Sequence, residues 1–197
     1  DRSIGRIAAV EDCAPGDLVF VDRADYAALA CERRPSVVVT SAKLAPLMAG
    51  PNGPTLLLTP DVNMAQALIK QRFGGRRYED AGWSRIHPSA VIHETASVHE
   101  TASVEPRAVI GRNVRVGERT RIMAGAVLEH DAEIGSDCVV HPNTVVGYGC
   151  VLGNEVVLGA GAIVGSEGYG FAQDKRGRSH PIPQTGNVVL GDRVRIG

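Results

Sequence analysis

The sequence predicts a small α/β domain over residues 1–83, followed over 84–197 by a parallel β-helix of hexapeptide repeats. Three observations carry this. Stepping by six from Ile86, every residue is aliphatic: Ile86, Ile92, Val98, Val104, Ile110, Val116, Ile122, Leu128, Ile134, Val140, Val146, Leu152, Leu158 and Val164. Four residues after each stands a position that admits almost nothing bulky, from Ala90, Ala96, Ala102 and Ala108 through Cys138 and Cys150 to Ala162 and Gly168. Before residue 80 the texture changes to short apolar runs alternating with helical ones. A helix repeats every 3.6 residues and a strand every 2, so neither holds one residue type at sixfold spacing for so long.

In the first part, residues 18–21 read as a strand, Asp22 as a helix cap and 24–32 as a helix. Residues 37–40 and 55–59 read as further strands. Asp61 caps a helix over 62–73 that turns Met64, Ala67, Leu68 and Phe73 toward the core. A connector with Gly74, Gly75 and Gly82 leads to Trp83, expected to seal the end of the prism. Phe20 closes its strand and Tyr26 falls on the first turn of the next helix. Two rings at such a turn can pack into the core or sandwich a planar base, a stack contributing about 1–3 kcal/mol per base; spacing alone leaves both open.

In the second part each hexapeptide supplies one strand and one turn, so three make a triangular coil of eighteen residues. Successive coils stack as parallel strands about 4.8 Å apart, around an aliphatic axis. Gly follows the aliphatic in seven of the fourteen repeats; the small fifth residue is expected to let the chain bend at each corner, and Gly tolerates the positive φ that some corners need. Residues eighteen apart become neighbours, which sets Glu94 beside Arg112, Arg115 beside Glu133 and Arg119 beside Asp137. The arginine run from Arg107 to Arg121 is therefore either a solvated, ion-paired wall or a surface for an acidic partner. His87, His93 and His99 fall on three different sides of the prism, and His141 stands three coils from His87. Together with His130 these read as outward wall residues rather than a base or a zinc site. After Val164 the period breaks. Gly168-Tyr169-Gly170-Phe171-Ala172 opens an excursion over 168–187 that passes Lys175, Arg176, Arg178 and His180 and returns by Ile182-Pro183-Gln184. An excursion from a solenoid reads as a working loop.

Composition narrows the classes. The 21 basic and 22 acidic residues give no push toward nucleic acid, and 4% aromatic content suits a narrow prism. No run reaches transmembrane length, which leads to the expectation of a soluble, cytoplasmic protein without a membrane span. Cys13, Cys31, Cys138 and Cys150 show no paired spacing and read as reduced packing residues. The chain starts at Asp1 and stops at Gly197 within a repeat, and is expected to be a fragment.

The segments Asp17-Leu18-Val19-Phe20 with Tyr26, Ile86-His87-Pro88-Ser89-Ala90, the Gly-aromatic-Gly-aromatic loop, Ile182-Pro183-Gln184 and Gly191-Asp192-Arg193-Val194 resemble the UDP-3-O-acylglucosamine N-acyltransferases of lipid A synthesis. That resemblance covers the whole chain. It implies a left-handed β-helix, a homotrimer with active sites between neighbouring prisms, and a 3-hydroxyacyl donor carried on acyl carrier protein. It implies no cofactor and no metal. Phe20 and Tyr26 match the family's uracil-stacking aromatics on a UDP-glucosamine-type substrate, and Tyr169, Phe171, His180 and Gln184 match the loop near its active site. Two positions depart from the pattern: Arg23 stands where the family has Asn, and Pro181, with His180 before it, stands where a basic residue precedes Ile-Pro-Gln. Arg23 is read as a charged contact to ribose or diphosphate. The family's catalytic histidine belongs to a later coil, so no catalytic residue is assigned here. Another nucleotide-sugar acyltransferase and a non-catalytic trimeric scaffold remain as alternatives.

Overall fold

The computed structural model describes residues 3–74 and 82–197; Gly75 of the expected connector lies outside them. The chain divides into two compact units, Asp1–Asp80 and Ala81–Gly197.

The first unit is a four-stranded parallel sheet in the order β1 (Arg6–Ile7), β2 (Asp17–Val21), β3 (Val37–Thr40), β4 (Thr55–Leu58). Every residue of β2 and β3 is buried, as expected for parallel strands covered on both faces. Val19, Val21 and Val38 pack against Ala27 and Ala30 of α1 (Ala24–Arg33). Leu18, Phe20, Val37 and Val39 face the other way, onto Val62, Ala65 and Ile69 of α2 (Val62–Ile69). The two-residue β1 carries no periodic signal and was not expected. Its place is fixed by Arg6, which donates from Nε and Nη2 to the Asp17 carboxylate at 3.0 Å each.

Two helix expectations need correction. Asp22 does not cap α1: the N-cap is Arg23, with no side-chain hydrogen bond. Asp61 does cap α2, accepting from the Met64 N–H at 2.9 Å, but the helix ends at Ile69 and gives way to a π turn over Lys70–Gly74. Its buried face is also different, because Met64, Leu68 and Phe73 are exposed. The helix is apolar almost all round, so periodicity could not choose a side. Docking of Val62 beneath the sheet chose the Val62, Ala65, Ile69 stripe.

The second unit is a left-handed parallel β-helix of three five-stranded sheets. The first face stacks Val91–Ile92, Val109–Ile110, Val127–Leu128, Val145–Val146 and Ile163–Val164 at eighteen-residue register. The second runs Ser97–Val98, Arg115–Val116, Glu133–Ile134 and Val151–Leu152, then pairs Val151 with Val189, the excursion being looped out between. The third runs from Ser103–Val104 to Arg195–Ile196. The second residue of each pair points inward, and Val104, Ile122, Leu128, Val140, Val146 and Leu158 are wholly buried. Trp83 does not seal this core: it is 55% exposed and packs edge-on against His87.

Except at Gly165, positive φ does not fall on the glycine after the aliphatic. It falls two residues later, at Arg107, Asn113, Arg119, Gly125, Asp131, Asp137, Asn143, Gly149, Glu155 and Gly161. A left-handed non-glycine residue costs about 1–2 kcal/mol. Each of these corners sends its N–H to the coil below. Asn113 and Arg119 donate to the Thr95 and Thr101 hydroxyls, Asp131 and Asp137 to the carbonyls of Arg112 and Glu118. Those hydroxyls are aimed by the histidine turns: the rings of His87, His93 and His99 accept at Nδ1 from the N–H of Ser89, Thr95 and Thr101. These three histidines therefore have structural work.

The ladders hold in two of three expected places. Arg115 meets Glu133 at 2.8 Å, and Arg119 is bidentate to Asp137 at 2.7 Å while also pairing with Glu118. Arg112 turns to Asp131 at 3.5 Å instead of Glu94. The paired carboxylates of Asp137 and Asp131 are held below the ordinary range, the first by Arg119, the second by the Asn113 amide and then His130.

Candidate functional site

Phe20 and Tyr26 line one cavity of about 330 Å³ in the first unit, at the carboxyl ends of β1 and β2. Phe20 reaches it from the α2 face of the sheet and Tyr26 from the first turns of α1, so the strand-to-helix turn brings both rings to one opening. Ligands in open parallel sheets sit at this end of the strands. Phe20 is only 9% exposed and is also a core residue, which makes packing and lining two roles of one ring. The backbone of Ala8 and Ala9, the carboxylates of Glu11 and Asp22, the Gln66 amide and Lys70 complete the wall.

Arg23 does not line this cavity. Its guanidinium lies 4.3 Å from the centre of the Tyr26 ring and 3.5 Å from the Asp25 carboxylate. The Lys70 ammonium stands 5.8 Å from the centre of the Phe20 ring. Reading the sequence missed Gln66, Lys70 and Asp22. The available signal was the spacing of Val62, Gln66 and Lys70, which shares one side of a helix, but the apolar surround of α2 masked it.

The excursion forms a second, separate feature. Phe171–Gln173 and Ser179–Pro181 pair as an antiparallel hairpin, with Phe171 opposite Pro181. At its base a cavity of about 230 Å³ is lined by Tyr148, Glu167, Gly168 and Gln184, among others. Gln184 folds back over the glycines: a Cβ on Gly168 would come 3.3 Å from its side chain, and one on Gly170 3.6 Å. The tighter of the two contacts is at Gly168, where a side chain would press on Gln184. Tyr148 props the loop, its hydroxyl donating to the Gln184 carbonyl at 3.4 Å while its ring stacks on His130 at 5.3 Å. Tyr169 and Phe171 pack on each other at 4.9 Å on the exposed side, away from the Gln184 cavity. His180 also points away, toward Asp174 at 3.4 Å. Asp174 is held low by backbone N–H donation from Arg178 and then by the Arg178 side chain. Of the four loop residues, only Gln184 lines the cavity.

Among the described residues no three His, Cys, Asp or Glu side chains gather as a metal-binding group, and no helix is long and apolar enough to cross a membrane. The cysteine thiols are free, and burial pushes those of Cys13 and Cys138 up.

Eighteen-residue coils interrupted by one hairpin define a hexapeptide-repeat β-helix protein with an α/β domain before it. A family profile described as the GMPPB C-terminal domain matches residues 86–167, the uninterrupted coils. A UDP-3-O-acylglucosamine N-acyltransferase of Methylococcus capsulatus is 43% identical and aligns with 100% of this chain and 56% of its own length. One from Anaeromyxobacter sp. is 42% identical over 97% of this chain and 54% of its own, and one from Coxiella burnetii 30% identical over 100% and 56%. The chain is similar along its whole length to UDP-3-O-acylglucosamine N-acyltransferases, and it spans about half the length of the curated relatives it matches. A solved GDP-perosamine N-acetyltransferase of Caulobacter crescentus, in complex with CoA and GDP-perosamine, is 17% identical over 93% of this chain and 95% of that one, with a TM-score of 0.35.

Proposed function

We propose that this chain is the nucleotide-recognising domain and first coils of an N-acyltransferase of lipid A synthesis. It passes a 3-hydroxyacyl group from acyl carrier protein to the 2-amine of a UDP-3-O-acylglucosamine in the cytoplasm. The observation that carries this reading is the cavity shared by Phe20 and Tyr26 in a chain similar along its whole length to enzymes named for that substrate. In the reaction the amine attacks the thioester carbonyl, a base takes the amine proton, and the pantetheine thiol leaves as the amide forms. The base comes from a coil after those described. The residues of the first unit bind and orient the nucleotide.

The reading includes a homotrimer, for which the first face of the prism offers support. Its outward column is Val91, Val109, Val127, Val145 and Ile163, all aliphatic through five coils. The matching columns of the other faces are broken by polar residues: Ser97, Arg115 and Glu133 precede Val151 and Val189 on one, and Ser103, Arg121 and Arg195 flank Val139 and Val157 on the other. A contiguous apolar stripe of this kind marks a protein–protein contact, and a face meeting a different face of the next copy closes a ring of three.

Calorimetric titration with UDP-N-acetylglucosamine tests the nucleotide site. Binding by the wild type that falls roughly five- to hundredfold in Tyr26→Ala is the expected result, each lost stack costing about 1–3 kcal/mol. A folded wild type that does not bind would remove the reading.

A further inference from the structure

We infer that Lys70 is the diphosphate ligand of the Phe20 and Tyr26 cavity, resting on the Phe20 ring until a planar base takes that ring. The inference rests on the nucleotide-sugar reading above and assigns a residue that neither the sequence motifs nor the family pattern pointed to.

Three observations support it. First, Val62, Gln66 and Lys70 follow one another at intervals of four along α2 and its π turn, and all three line the cavity. The chemistry along that stripe changes from an apolar side chain packed with Phe20, through an amide able to donate and accept, to an ammonium. Eight residues of helix rise about 12 Å, so the stripe passes from the ring site toward groups well removed from a stacked base. A base, ribose and diphosphate present the complementary order.

Second, the charges of the wall leave no other candidate. Glu11 and Asp22 are carboxylates that repel a phosphate, and Lys70 is the one cationic side chain among the lining residues. Arg23 lies outside the lining and is drawn to Asp25. The carboxyl end of α2 offers carbonyls, whose partial negative charge disfavours anions, so backbone cannot substitute for the ammonium there.

Third, the ammonium sits over the Phe20 ring at 5.8 Å, a cation–π contact on the surface a stacking base would use. Lys70 is exposed, and its flexible four-carbon stem lets the charge move while the backbone stays. Stacking a base on Phe20 displaces the ammonium toward the rim, where the diphosphate of the same ligand follows.

The test is calorimetry on the 197-residue chain with uridine and with UDP, in wild type, Lys70→Ala and Lys70→Arg. The expected result is a loss of roughly ten- to hundredfold in UDP affinity in Lys70→Ala, the scale of a charge-assisted hydrogen bond, with uridine affinity unchanged or slightly raised because the base no longer displaces the ammonium. Lys70→Arg should recover most of the UDP affinity, and raising salt should weaken UDP binding in wild type but not in Lys70→Ala. Equal losses for uridine and UDP in Lys70→Ala would show that Lys70 only packs on Phe20 and would overturn the inference, as would no change in either. Wild type that binds UDP but shows this behaviour sinks Lys70 alone. Wild type that binds neither ligand sinks the nucleotide reading and Lys70 with it.

Discussion

Single residues in the prism are chosen by the coil above as much as by their own backbone. Gly117 lacks a positive φ, yet a Cβ there would lie 2.7 Å from the Gly135 carbonyl carbon. Gly135 and Gly153 stand in the same column, so three stacked coils approach closely through one line of glycines. Gly117→Ala should therefore destabilise the chain by about 1–3 kcal/mol through overpacking, read as a lower urea midpoint. Gly149 is the opposite case, with φ +62 and open space where its Cβ would be. Gly149→Asn puts there the residue that Asn113 and Asn143 already supply at equivalent corners, and it should lower the midpoint less than Gly149→Ala, which takes the full left-handed cost of about 1–2 kcal/mol. Both residues are glycine for different physical reasons, one steric and one conformational.

Between elements, an ion pair reinforces the backbone pairing that ties β1 to β2. Asp17 is buried and accepts from Arg6 and from the Ala14 N–H at 2.8 Å. The Arg6 hydrogen bond, followed by that from Ala14, holds its carboxyl below the ordinary 3.8. A carboxylate depressed in the folded state stabilises fully above its unfolded value and loses that contribution as pH falls through the folded one. Stability should thus be level above about pH 5 and decline below about pH 4, and Asp17→Asn should flatten that acid limb while lowering the plateau. Urea midpoints between pH 2.5 and 7 give the comparison. Helix α2 shows the limits of reading elements from sequence. Its cap at Asp61 is local chemistry and was legible, whereas its buried stripe depended on which side met Leu18, Phe20 and Val39. The same packing decision turned Gln66 and Lys70 into the cavity.

At the scale of the molecule, the aliphatic column from Val91 to Ile163 distinguishes one prism face from the other two. Val91 and Ile163 are 61% and 63% exposed in the single chain. Val145→Glu places a charge in the middle of that column and should convert the proposed trimer to monomer by light scattering, with far-UV circular dichroism unchanged.

The sequence by itself determined the β-helix, its eighteen-residue register and the place where the hairpin leaves it. One inward residue per six, in strict succession, is a local pattern that only one backbone geometry satisfies. It also placed Phe20 and Tyr26 at a strand-to-helix turn. The tertiary structure alone decided which face of α2 is buried, that Arg112 pairs with Asp131 and not Glu94, that His180 points away from the Gln184 cavity, and that Lys70 rests on Phe20. Each of these is a choice among several partners of similar chemistry within reach. A choice of that kind is settled by distances between elements remote in the chain, which no repeat or spacing encodes.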